Sequence, residues 1–247
     1  MDIIRNHLRL ANTELALEVC ETIKDFNKFD ENGLSLLHYA AAKNNVEVLD
    51  FMIKNGGDIN ILDRKTERKM KRLNSEIHQV EMYNNQNYDT YNWSLLHWAV
   101  SGDHQETIEY LLRQDPKLSR DNYGYKAFHI AFNLNTHIKY PRLFNKFTYE
   151  DLRLAAHLCY GDMTKIKFLL DRGLNVNEPF IFNNGRFLHD ACLNHNVEHI
   201  KNLINRGADK TIKDKNGYDA VYWANKLGRS RRVLKALGEH VPWYLIW

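Results

Sequence analysis

The stretch Leu34-Ser35-Leu36-Leu37-His38-Tyr39-Ala40 returns almost residue for residue as Trp93-Ser94-Leu95-Leu96-His97-Trp98-Ala99. A motif copied within one chain constrains the fold more than composition can, because each copy must bury its apolar face against another of the same shape. The surrounding tract, Glu31 to Asp63, reads as two short helices and a turn. Ser35 is placed to cap the first helix, in which Leu37, Ala40 and Ala41 form a narrow apolar face. The second is expected over Val46 to Lys54, with Val46, Leu49, Met52 and Ile53 at three- and four-residue spacing. Asn55-Gly56-Gly57 supplies the left-handed backbone that ends it.

Further copies stand around Phe128-His129-Ile130-Ala131, Leu188-His189-Asp190-Ala191 and Val221-Tyr222-Trp223-Ala224. Asp30, Asp89, Asp121 and Asp214 each precede the template His, or the Tyr that replaces it, at one constant offset. The pairs Met52-Ile53, Leu111-Leu112, Leu169-Leu170 and Leu203-Ile204 keep a second constant offset. This pattern resembles the ankyrin repeat, a helix-turn-helix unit of roughly 33 residues with a turn Asp, a T-P-L-H-x-A core and a G-A-D-x-N turn. The resemblance covers residues 30–237 and implies an all-α ankyrin-repeat solenoid of about six to seven units.

The expected organisation follows from where the period holds. Residues 1–29 read as N-terminal capping helices, with Thr13 a candidate cap, and 30–63 as the best-formed repeat. His38 and His97 lie one period plus about 26 residues apart, which places an insertion at 64–88 before the repeat resumes at Asp89. The insertion opens with a basic run that includes Arg64, Arg68 and Arg72, and carries an apolar stripe of Met70, Leu73, Ile77 and Val80. Repeats continue over 89–237, with 121–147 irregular because Pro141 falls where a second helix should run. In the next unit Thr148-Tyr149-Glu150-Asp151 offers the N-cap of the first helix, and the template histidine is expected to be replaced by Ala155. Residues 238–247 form an apolar C-terminal tail that either closes the end of the stack or docks elsewhere.

Several classes are disfavoured. No run of about 18 apolar residues is present to span a membrane, and the N-terminus lacks the apolar core of a secretory signal. Cys20, Cys159 and Cys192 are odd in number and far apart, as expected of small core residues in a reducing, cytoplasmic setting. A formal charge of +3 is too small to argue for nucleic acid.

The repeated histidines could suggest metal or acid–base chemistry. In ankyrin repeats, however, this histidine bridges backbone groups, and stacking spaces successive copies about 10 Å apart, too far to share one metal. His195-Asn196-Val197-Glu198-His199 matches the H-x-x-E-H zinc-hydrolase pattern. Its register puts His195 ahead of the helix and Glu198 among ordinary exposed residues, so neither a catalytic site nor a cofactor is expected.

The resemblance implies a non-catalytic protein–protein interaction module that holds its partner through the finger tips and the concave face. In this family the turn residues after the Asp point away from the stack. Here they include Leu34, Tyr91, Trp93, Asn122, Tyr123, Tyr125 and Tyr218. Phe180 and Phe182 add aromatic surface near a later turn. Aromatic rings at solvent-facing tips are the side chains enriched at interface hot spots, so these residues, with Arg68 and Arg72, are the expected partner-binding set. The bland reading is that the rings pack on one another or beneath the insertion. An inhibitor such as a bacterial immunity protein, or a pathogen effector, fits this class, with another protein as partner and a monomeric chain. The alternative is an anionic ligand, nucleic acid or lipid head group, held by the basic insertion.

Overall fold

The computed structural model describes residues 12–64, 92–159, 161–179, 184–194, 196–226 and 231–239. It divides into two compact units, Met1–Lys146 and Phe147–Trp247. Among the described residues every regular element is helical, and the one extended pairing is the isolated bridge between Leu62 and Ser94.

The first unit holds α1 (Thr13–Cys20), α2 (Leu36–Ala42), α3 (Val46–Lys54), α4 (Leu95–Ser101), α5 (Gln105–Arg113) and α6 (Ala127–Asn133). The helices form two rows: α2, α4 and α6 pack in succession, as do α1, α3 and α5. Small side chains permit the first row, since Ala40, Ala41 and Ala99 are completely buried between neighbours. Asn12, rather than Thr13, caps α1, accepting a bond from the Leu15 amide at 3.2 Å. Asn45 caps α3 in the same way. The helix then ends where Gly57 meets the Met52 carbonyl at 2.8 Å. A Cβ at Gly57 would lie 2.8 Å from that same oxygen, so the close approach requires glycine.

As Pro141 predicts, α6 has no partner helix of ordinary length; a single 3-10 turn, Pro141–Phe144, takes its place and buries Leu143 and Phe144. Asparagines tie successive turns together. Asn27 accepts from the Asp58 amide at 2.7 Å and donates to the Gly56 carbonyl at 3.0 Å. Asn60 repeats the first of these bonds one unit later, to the Lys117 amide.

The second unit contains α7 (Tyr149–Ala156), α8 (Met163–Leu170), α9 (Phe187–Leu193), α10 (Val197–Asn205), α11 (Ala220–Lys226) and α12 (Arg231–Ala236). Here α9 packs on α11 and α10 on α12, and Asn177 makes the same two bonds to Gly207 and Asp209 that Asn27 makes in the first unit.

Helix α7 begins at the Thr148 cap that the sequence signals, but it departs from the histidine template. Ala155 does not stand in for the capping histidine; it is wholly buried in the helix body. The cap lies one turn earlier, where Thr148 and Asp151 bond reciprocally to each other's backbone amides. The three cysteines are free and buried, and burial pushes the Cys20 thiol up to about 11 and that of Cys192 to about 12.

Candidate functional site: the turn aspartates and the surface they shape

The template histidines are structural. Each sits three residues into its helix, where the ring Nδ1 accepts the amide of the cap residue: Ser35 to His38, Ser94 to His97, Lys126 to His129 and Arg186 to His189. With Nδ1 accepting, Nε2 carries the proton. It lies 3.0 Å from the Tyr125 carbonyl in His97 and 3.1 Å from the Ile212 carbonyl in His189, so the ring joins one repeat to the next. Burial lowers His38 and His97 to about 4, which keeps both rings neutral.

The turns are built around aspartates. Asp30 accepts from the amides of Asn32 and Leu34, Asp121 from those of Tyr123 and Tyr125, and Asp214 from those of Asn216 and Tyr218. In each turn the Asp amide also donates to the carbonyl four residues on, and a glycine with positive φ (Gly33, Gly124 or Gly217) closes the loop on the Asp carbonyl.

The remaining turn belongs to Asp63. Its amide donates to the Trp93 carbonyl at 2.9 Å, and its Oδ1 accepts the Trp93 amide at 2.8 Å. Asn92, with φ of 62°, bonds the Asp63 carbonyl as the glycines do elsewhere. The role expected of Asp89 is therefore filled by Asp63. In sequence, residues 64–91 stand where Glu31 and Asn32 stand in the preceding turn. Asp63 thus joins the chain before this stretch to Asn92 and Trp93 after it.

This geometry corrects two of the expected surface residues. Leu34 is 2% exposed and Trp93 5%. The fourth position after the Asp is drawn back by its amide bond, and its side chain turns over the first helix. The Trp93 ring stacks on His97 at 6.0 Å and meets Trp98 edge-on at 5.4 Å. Tyr125 and Tyr218 occupy the same position and are half-buried. Tyr125 packs against His129 at 5.4 Å.

The tip itself is formed by the first two residues after the Asp. Tyr123 is there, 39% exposed, beside the half-buried Asn122. In the second unit the last turn carries an aromatic pair, Tyr218 and Tyr222, of which only Tyr218 was expected at the surface. Tyr222 takes the histidine's place, is 38% exposed, and lies parallel to Tyr218 at 3.8 Å. Trp223 stands edge-on to both rings, with Lys226 Nζ 4.7 Å from its centroid. A tyrosine in a histidine's register was the signal for it.

Tyr91, Arg68 and Arg72 lie outside the described residues, as do Phe180, Phe182, His195 and the tail 240–247. Of the basic run only Arg64 is described; its guanidinium lies 3.9 Å over the Phe29 ring. Helix α10 begins at Val197 with Asn196 as its cap, so position 195 precedes the helix, and Glu198 is exposed. His199 instead lines a cavity of about 180 Å³ with Gly161, Asp190 and Asn194. Among the described residues no group of three His, Cys, Asp or Glu is arranged to hold a metal ion. Nor is any described helix long and apolar enough to cross a membrane.

Comparison with known proteins agrees with this architecture. Residues 32–64 match the ankyrin repeat, and 69–143 match the family described as ankyrin repeats (3 copies). The ankyrin repeat domain of Bcl-3 superposes over 95% of this chain and 97% of its own, with a TM-score of 0.68 at 18% identity. The human ASB11 ankyrin repeat domain does so over 97% and 98%, with a TM-score of 0.64 at 17% identity. A Danio rerio protein carrying the name palmitoyltransferase ZDHHC13 is 25% identical over 87% of this chain. The L-asparaginase of Dirofilaria immitis is 26% identical over 81%. The chain spans 31% of the length of each of these two relatives.

The chain is an ankyrin-repeat protein, with the all-α solenoid fold of that family. Its repeats make it a protein–protein interaction module.

Proposed function

We propose that this chain holds one specific protein partner through the turn that carries Asn122, Tyr123 and Tyr125, and that it acts as a cytoplasmic, monomeric binder of the inhibitor kind, such as an immunity protein or a pathogen effector. The observation that carries this reading is Tyr123. A tyrosine stands at an exposed tip whose turn is held by the Tyr123 and Tyr125 amides on Asp121, although solubility alone would favour a small or charged group there. A rigid tip presents its ring without the entropic cost of ordering a loop on binding. One tyrosine can bury on the order of 150–250 Å² against a partner, a sizeable part of the ~800 Å² that each side of a standard interface contributes.

The role is non-catalytic. What aligns with the palmitoyltransferase and the asparaginase is about a third of each, and in this chain that stretch is repeat scaffold whose histidines are engaged in capping.

The test is affinity capture with the intact chain, followed by titration of the captured protein against wild type and Tyr123→Ala. The reading predicts weaker binding by tenfold or more, roughly 1.4 kcal/mol, at unchanged melting temperature. Equal affinity for both chains contradicts it.

A further inference from the structure

We propose that Asp63 is a pH-responsive clasp that fixes the two ends of the longest turn and sets the position of Trp93 beside the proposed binding surface. Asp63 is an unusual carboxylate. Asp63 is 3% exposed, and the groups bonded to it are all neutral donors: the Trp93 amide on Oδ1 at 2.8 Å and the Trp98 indole N–H on Oδ2 at 3.1 Å. Among the described residues the charged group that bears on it is another carboxylate, Asp121, on the following turn. Arg64, next in sequence, sends its guanidinium over Phe29.

A buried anion whose charged neighbour is also an anion favours the protonated form. Burial, with the Asp121 charge adding to it, pushes Asp63 up to about 7, against the pull of the Trp93, Trp98 and Asn92 N–H groups. Two states follow. In the protonated state the buried charge is gone, and one carboxyl oxygen still accepts an N–H. In the ionised state both N–H bonds are at full strength, but the charge has no water and a like neighbour. Opening the clasp to water relieves this and returns the group toward 3.8. The closed clasp therefore holds a proton that the open clasp releases, and opening becomes easier as pH rises toward 7.

The position gives the clasp reach. Trp93 bonds Asp63 through both its amide and its carbonyl, stacks on His97, and directs its indole N–H toward Asp121 without a full hydrogen bond. Asp121 in turn holds Tyr123 and Tyr125. A shift of Trp93 thus bears on the turn assigned above to partner binding. That consequence rests on the binding reading, whereas the clasp itself does not.

The test uses the full chain alone, so its failure is separate from that of partner binding. Hydrogen exchange of the Trp98 indole N–H, corrected for intrinsic exchange, reports opening. Between pH 5 and pH 7 the opening equilibrium should rise about 50-fold in wild type and level off above. Asp63→Asn, which mimics the protonated group, should show no such rise. A flat wild-type profile, or an equal slope in the variant, overturns the proposal. If the variant does not fold, carbon-13 titration of the Asp63 carboxyl in wild type decides: a midpoint near 7 supports the clasp, and one below 5 overturns it.

Discussion

Asp63 and Asp214 share two bonds and are shifted in opposite directions, and Asp214 Oδ1 accepts the Asn216 amide as well. Each accepts a backbone amide on Oδ1 and a tryptophan indole on Oδ2 at 3.1 Å, from Trp98 in one case and Trp223 in the other. Burial raises Asp63 to about 7. At Asp214 the penalty of burial is outweighed by the bonds from Tyr218, Asn216 and Trp223, with His189 adding its field, and the group lies below its ordinary value. The lesson is that a hydrogen-bond pattern copied by a repeat does not copy the energetics. Solvent access and the charge next door decide the sign.

The largest expected effect concerns what surrounds the buried clasp. Trp93→Ala removes a ring packed between His97 and Trp98 and should cost about 3–5 kcal/mol of stability in denaturant unfolding. A loss below about 1 kcal/mol would mean that Trp93 is a surface residue after all, and that the two clasps are more alike than they look.

The next effect separates the two aspartates directly. Because the folded-state value of Asp63 is raised, its contribution is fully present below about 4 and is lost as pH rises through about 7. Measured against Asp63→Asn, wild-type stability should fall by about 2–3 kcal/mol between pH 5 and pH 8. For Asp214 the folded-state value is lowered, so its contribution is present above 3.8 and is lost as pH falls through the lowered value. Against Asp214→Asn, wild type should weaken only in acid. Parallel profiles for the two variants would erase the contrast.

A smaller effect extends the comparison to the caps. Thr148→Ala removes the reciprocal cap that replaces a histidine on α7 and should cost about 0.5–2 kcal/mol in thermal or denaturant unfolding. Smallest of all, Tyr123→Ala should change stability by no more than about 0.5 kcal/mol, even though its effect on a partner is expected to be large.

Most of the scaffold was legible from spacing. The bounds of α3 and the break at Pro141 follow from residue types that have one good use at their position. That the histidines bridge backbone groups followed from the family resemblance, whereas their capping bond through Nδ1 is visible only in the structure. The insertion was found, but its attachment was misplaced. Asp63 and Asp89 both satisfy the pattern, because adding residues before a turn Asp or after it leaves the histidine-to-histidine distance unchanged. Only the bonds of Asp63 to Trp93 decide between them. The exposure of Leu34 and Trp93 was misread for a related reason. They lie within a turn that faces solvent, yet the fourth residue after the Asp is pulled inward by its own amide. At α7 the Thr148–Asp151 cap was legible, but it is Asp151, not Ala155, that stands in the histidine's capping position.

The most direct test of the binding account is hydrogen–deuterium exchange on the intact chain with and without the protein it captures. Protection should concentrate on the amides of residues 122–126 and leave the outward faces of α3 and α5 unchanged. Protection of those outer helices, with the Tyr123 turn exchanging as freely as before, would contradict it.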